Sequence, residues 1–226
     1  MAIRLRQIAR IDANPPPTEG YLAVNCVSWF ENNVSKLPGQ KDPIPLYQLS
    51  SYHLRDPVSG CLFQGIFQGS KLYKKVNKQN QPKNKGGWKH SEEVHVDEKG
   101  NILPAYWAWR EKVYRHPNPV RYPNGYHGRN ECLCSLWYED GKLEVLDYFQ
   151  ARSRIYVALY AKWVKETQAF KQLKALVDAG VKLELLGLHC PDSIEFTRDN
   201  FNTYLYKKNP LFGFTWTLAA CLTGML

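Results

Sequence analysis

Acidic residues are missing from one long stretch of this chain: residues 57–91 contain no Asp and no Glu. The same window holds seven lysines (Lys71, Lys74, Lys75, Lys78, Lys83, Lys85 and Lys89), which is +7 of the net +9. Elsewhere charge nearly balances, with 6 basic residues against 5 acidic before the window and 17 against 16 after it. A positive field confined to one segment predicts an anionic partner. Long apolar runs are also missing. No stretch approaches the roughly 18 residues that span a bilayer. The nearest, Pro210 to Leu226, is interrupted by Gly213, Gly224 and three Thr, so no membrane partner is expected. Met1 to Arg10 carries charges and no apolar core, unlike a secretory signal, and a cytoplasmic protein is expected. Paired C-x-x-C modules are absent. Cys26, Cys61, Cys132, Cys134, Cys190 and Cys221 are scattered and read as reduced thiols. Cys132 and Cys134 with His127, or His189 with Cys190, fall short of four well-spaced zinc ligands. Neither a metal nor a redox cofactor is expected.

Aromatic residues, by contrast, are plentiful. Seven Trp and 14 Tyr in a basic chain offer flat surfaces for stacking on bases, or else fill a core. Tyr21 to Val27 reads as a strand, and residues 36–45, with three prolines, read as a loop. Arg55 to Gly60 is a turn. The segment from 74 to 90, with Pro82 and Gly86-Gly87, reads as a basic surface loop. Val94 to Leu103 suggests two short strands around a Glu-Lys-Gly turn. Pro104 opens a helix that carries Tyr106, Trp107, Trp109 and Arg110. Residues 116–130 form a long loop rich in aromatics, Arg and Gly, of a length that usually signals function. A hairpin is predicted from Leu133–Tyr138 and Leu143–Leu146 around Asp140-Gly141. The spacing of Ile155, Leu159, Trp163, Phe170, Leu173 and Val177 predicts one helix from about 149 to 179, closed by Gly180. Leu183 to Leu188 predicts a strand, and a buried helix follows Pro210. Mixed short strands with separate helices predict an α+β fold, as a single domain over residues 1–226.

Several segments together resemble the NADAR family. They are Leu49-Ser-Ser-Tyr-His-Leu, then Leu62-Phe63, then Gln68-Gly-Ser-Lys71; the helix at 149–179 with Lys162 in its middle; Pro191-Asp192 after a Leu-rich strand; and Asn209 to Ala220. The similarity covers about residues 46–226. It implies a helix-rich fold that hydrolyses N-glycosidic bonds, on ADP-ribose attached to guanine in nucleic acid or on amino-glycoside intermediates of flavin synthesis. The settings it suggests are repair, removal of modified bases, or conflict between a cell and a virus. In this register the family's glutamate falls at Gln64, and an amide cannot serve as a general base.

Breaking a C–N glycosidic bond develops an oxocarbenium-like centre, which a carboxylate stabilises while another group protonates the leaving base. Asp192 is the leading carboxylate, since it follows a buried strand; the alternative is a turn or capping Asp. Glu93, with Glu92, is second; the alternative is a pair of exposed charges. Asp147 reads as a helix-start charge. Lys71 would hold a phosphate or, if desolvated, act as an amine nucleophile on an opened sugar. Gln68 and Gln64 offer amides to a base or sugar edge. Trp107, Trp109 and Tyr126 are candidates to stack on an extruded base, and Arg121, Arg129, Arg152 and Arg154 to meet phosphates. The lysine run would grip the nucleic-acid backbone, DNA ahead of RNA. The expected activity is therefore N-glycosidase action on a modified base in DNA or RNA. The alternatives are a non-catalytic nucleic-acid-binding module and an enzyme on a small phosphorylated glycoside.

Overall fold

The computed structural model describes residues 2–9, 15–27, 34–35, 42–77, 92–120, 122–124, 127–208 and 212–226. Helices and short strands are interspersed along the chain in a mixed α and β architecture. In chain order they are β1 (Ile3–Gln7), β2 (Leu22–Asn25), β3 (Val34–Ser35), β4 (Ile44–Pro45), α1 (Phe63–Gly69), β5 (Lys71–Leu72), β6 (Lys75–Val76), β7 (Glu93–Val94) and α2 (Pro104–Tyr114). There follow β8 (Cys134–Glu139), β9 (Lys142–Leu146), α3 (Tyr148–Ala151), α4 (Ala158–Val164), α5 (Gln168–Asp178), β10 (Leu183–Gly187), β11 (Ile194–Glu195), α6 (Arg198–Leu205) and α7 (Phe214–Leu222). Among the described residues no helix is long and apolar enough to cross a membrane.

The chain divides into two units: Met1–Leu54 with Val157–Leu226, and Arg55–Tyr156. In the first, the strand order is β11-β1-β10-β2, with β10 parallel to both β1 and β2. Every residue of β10 is buried, as a central parallel strand covered on both faces requires. Its one charge, Glu184, is answered by the Thr18 hydroxyl, which donates to Oε1 at 2.5 Å, and by Arg6 at 3.4 Å. The α7 helix lies close over this sheet. A Cβ at Gly187 would stand 2.7 Å from Thr215 Cγ2, so only glycine permits that approach.

In the second unit, the hairpin β8–β9 turns at Asp140 (φ 50°) and Gly141 (φ 78°), as the Asp-Gly pair predicts. The β5 strand adds to the far side of β8, pairing Lys71 with Ser135 and Leu72 with Cys134. Trp109, Tyr106, Tyr73, Val113 and Leu136 form the core beneath. With seven residues and two glycines, α1 is a poor helix in isolation. Packing sustains it: Cβ atoms at Gly65 and Gly69 would meet the Val113 carbonyl at 2.9 Å and the Tyr114 ring at 2.7 Å, both on α2.

The expected helix over 149–179 is broken. The chain takes a π-helical turn at Arg152–Val157, then α4, and α5 starts afresh at Gln168. Thr167 explains the restart, because its side chain accepts from the Phe170 amide as an N-cap. The apolar periodicity continues across the break, so periodicity alone does not reveal it. Gly180 (φ 86°) ends α5 as expected.

Candidate functional site around Lys71

Lys71 is not the first of the surface lysines. It is 9% exposed, an unusual place for an ammonium. Its Nζ donates to Gln68 Oε1 at 2.7 Å and lies 4.6 Å from the Phe67 ring centroid and 5.1 Å from that of Tyr122. No carboxylate lies within ion-pair distance among the described residues, and the undescribed residues of 55–156 include no Asp or Glu. Burial therefore acts nearly unopposed and lowers the Lys71 pKa from 10.5 to about 8. The neighbouring Cys132 opposes this in part, while its own thiol is pushed up by burial and pulled back by the lysine. Among the described residues the Tyr73 hydroxyl meets no hydrogen-bond partner of good geometry, yet Cys132 lies close enough to add to the rise that burial imposes on its pKa.

Local structure sets this geometry. Gln64 and Gln68 are i and i+4 on α1 and so share one face; both are buried. The Gln64 amide has no hydrogen-bond partner among the described residues, leaving its donor and acceptor available. Lys71 is held by the β5–β8 pairing, and Tyr106 reaches from α2 to donate to the Gly69 and Ser70 carbonyls at 3.2 and 3.0 Å. Tyr122 brings its ring to Lys71 from a left-handed backbone conformation (φ 50°), which costs a non-glycine residue strain and tends to mark functional positions.

Of the residues singled out in the sequence, the structure gathers Gln64, Gln68 and Lys71. Asp192 is exposed and lies in the first unit, beside Ser193 (φ 65°), which is the turn alternative. Glu93 is answered by Lys112 at 4.0 Å and faces His95 at 3.8 Å, and Glu92 pairs with Lys75 at 3.7 Å. Asp147 is the N-cap of α3, accepting from the Phe149 and Gln150 amides. Trp109 must be corrected: it is fully buried in the core, with no ring face left for a base. Trp107 is half-buried at the edge of that core. Arg129 is half-buried too. Arg154 is engaged by Glu139 and Glu144, and the buried Arg152 donates to the Tyr148 hydroxyl. Lys74 and Lys75 are exposed. Arg121, Tyr126, Lys78, Lys83, Lys85 and Lys89 lie outside the described residues.

Sequence reasoning missed Phe67, Tyr122 and Cys132 as neighbours of the amine. One signal was available, since Lys71 alone among the seven lysines runs directly into an apolar pair, Leu72-Tyr73.

Comparison of the chain with family models, curated proteins and solved structures returned no match.

The lowered pKa has a thermodynamic consequence. Between about pH 8 and 10.5 the unfolded chain binds a proton at this lysine that the folded chain has released, so stability rises with pH across that window. Below pH 8 both states are protonated and the folded state bears the full burial cost, of the order of 3 kcal/mol. Lys71→Met should therefore melt higher than wild type at pH 7, with the difference shrinking as pH approaches 10.5. Thermal melts of both proteins across that range measure it, and a pH-independent difference would contradict the unpaired amine.

Proposed function

We propose that this chain is an N-glycosidase that cleaves the base–sugar bond of a modified nucleotide in nucleic acid, with the Lys71 amine as nucleophile. The single observation that carries this reading is the desolvated lysine with no carboxylate within ion-pair distance among the described residues. At a pKa of about 8 a useful fraction is neutral near pH 7, as a nucleophile requires. Aromatic rings line its surroundings, and two amides on one helix face are placed to read a base or sugar edge. The resemblance of Gln68-Gly-Ser-Lys71 to the NADAR pattern supports the same bond, and Lys71 supplies by covalent attack what a carboxylate at Gln64 would supply by charge.

The neutral Lys71 Nζ bonds to the anomeric carbon, and the carbon–nitrogen bond to the base breaks, its electron pair leaving with the base. The ring oxygen then departs from the same carbon, leaving an imine on an opened sugar. Of the two amine protons, one ends on the released base and one on the ring oxygen. Water adds to the imine, freeing the lysine and an abasic sugar. A nucleotide must leave its stack to reach a buried amine, and the lysine run would hold the strand while it does.

The test is a panel of oligonucleotides carrying modified or ADP-ribosylated bases, incubated with the protein and read by mass spectrometry, with borohydride added in parallel to trap the imine. Release of a base with a borohydride-stable adduct on Lys71 is expected. Release without any adduct would reject the lysine mechanism, and no release from any member would reject the activity. Asp192→Asn, at an exposed turn, should retain turnover within about twofold, as surface changes usually do; a loss of base release would return that carboxylate to the mechanism.

The unpartnered amide at Gln64 favours one second reading, a nucleic-acid-binding module that holds a base without cleaving it. Both readings predict that Lys74→Ala with Lys75→Ala flattens the salt dependence of binding, the log–log slope falling by about 0.7–0.9 for each phosphate no longer neutralised. Fluorescence anisotropy at several salt concentrations measures this. An unchanged slope would remove these two lysines from the interface.

A further inference from the structure

Arg110 plays no part in the roles above, yet it too is a buried cation of the second unit with no ion pair among the described residues. It is 6% exposed. Its Nε donates to the Tyr114 hydroxyl at 2.8 Å. Its guanidinium carbon lies 4.9 Å from the Tyr114 ring centroid, 5.5 Å from that of Trp107 and 5.7 Å from that of Tyr138. The two terminal nitrogens meet no acceptor among the described residues and remain open to solvent. The nearby acids are engaged elsewhere: Glu111 pairs with Arg115 at 3.4 Å, Glu93 with Lys112, and Glu139 with Arg154. The undescribed residues of this unit supply no carboxylate.

A guanidinium withdrawn from water pays a desolvation cost that a carboxylate normally offsets. Here three rings offset part of it through their π faces, and four N–H donors remain unanswered among the described residues. Two of them point in parallel from a planar fork, the geometry that matches two oxygens of a phosphate. Beside the fork stand the Trp107 and Tyr138 rings, 6.2 Å apart at 49°. Tyr138 is 53% exposed, so this wall is open on its outer side and can take a flat ring. The unit around it carries 17 basic residues against 11 acidic ones, a field that draws in anions.

We infer that Arg110, walled by Trp107 and Tyr138, binds a phosphate group of a nucleotide, with the rings taking the attached base or sugar. The site deepens the nucleotide reading but does not depend on chemistry at Lys71. Tyr114 links the two locally: it receives the Arg110 Nε hydrogen bond, and its ring is what a Cβ at Gly69 would strike, two residues before Lys71.

The experiment is calorimetric titration of the full chain with thymidine, thymidine 5′-monophosphate and the dinucleotide TpT lacking a terminal phosphate. Wild type should bind the monophosphate at least about tenfold tighter than thymidine, as charged hydrogen bonds of this kind provide. Arg110→Gln should erase that preference, while Lys171→Ala, at an exposed lysine of α5, should keep it. Affinity of TpT equal to that of the monophosphate would assign the site to a backbone diester; weaker TpT binding would assign it to a terminal phosphate. Equal binding of thymidine and its monophosphate by wild type would overturn the inference, as would a preserved preference in Arg110→Gln. Should that variant fail to fold, phenylglyoxal labelling of wild type decides. Saturating monophosphate should shield Arg110 from modification at least about tenfold, and undiminished labelling would refute the site. Persistence of the phosphate preference without any base release would leave this site standing and reject only the glycosidase reading.

Discussion

Lys71→Ala should lower base release by on the order of a thousandfold or more, as removal of a nucleophile typically does, and should abolish the borohydride-trapped adduct. The fold should survive, because the substitution removes a buried charge that the structure does not pair and leaves the β5–β8 backbone pairing intact. The loss should fall on turnover, with nucleic-acid binding held by other groups. The pH profile of the wild type provides an independent check. The rate should climb as pH rises through about 8 and level off above it, because the amine must be neutral to attack. Lys71→Arg, with a guanidinium that stays charged, should be as inactive as the alanine variant. Single-turnover kinetics with a cleavable oligonucleotide measure all three proteins. Alanine and arginine variants with near wild-type rates would place the chemistry on another residue.

Trp109→Ala carries the second large effect, and it concerns stability. The indole is fully buried, 5.1 Å from the His95 ring centroid and 6.4 Å from that of Tyr106. Deleting a buried aromatic of that size costs about 3–5 kcal/mol, through reduced burial and the cavity left behind. In a unit of about a hundred residues that corresponds to a fall in melting temperature of about 12 °C or more. Trp107→Ala, two residues away at the edge of the core, should cost less than half as much, with its effect falling on binding of thymidine 5′-monophosphate. Circular-dichroism melts of the two variants separate the roles. Equal melting temperatures would show that the buried ring is dispensable to the core and would reopen it as a binding surface.

The contrast between these tryptophans shows how far sequence reading reaches. Both stand on one predicted helix, and the proline that opens that helix was legible. Which ring turns inward depends on what covers α2, and that comes from segments distant in the chain, among them Leu72 and Tyr73, which share the core with Trp109. The α7 helix, the β8–β9 hairpin and the β10 strand were legible because each depends on local signals: a Gly-flanked apolar run, an Asp-Gly turn and a Leu-rich stretch. The break at Thr167 was not, because a cap and a continuing helix carry the same apolar spacing on either side.

The site divides in the same way. The Gln68-Gly-Ser-Lys71 element is visible in the sequence as a run of reactive side chains at the edge of a basic window. The choice of Asp192 as leading carboxylate rests on strand position alone, and that residue occupies an exposed turn. Composition and order alone determined that this chain is basic along one segment, rich in aromatics and built from mixed helices and strands, since those properties sum over residues without regard to where each one lies. Whether a given lysine is solvated or stripped of water depends on atoms brought from distant positions, here the rings of Phe67 and Tyr122 and the absence of a carboxylate within ion-pair distance among the described residues. That enclosure sets the Lys71 amine apart from the exposed Lys74 and Lys75 that follow it, and only the tertiary structure decided it.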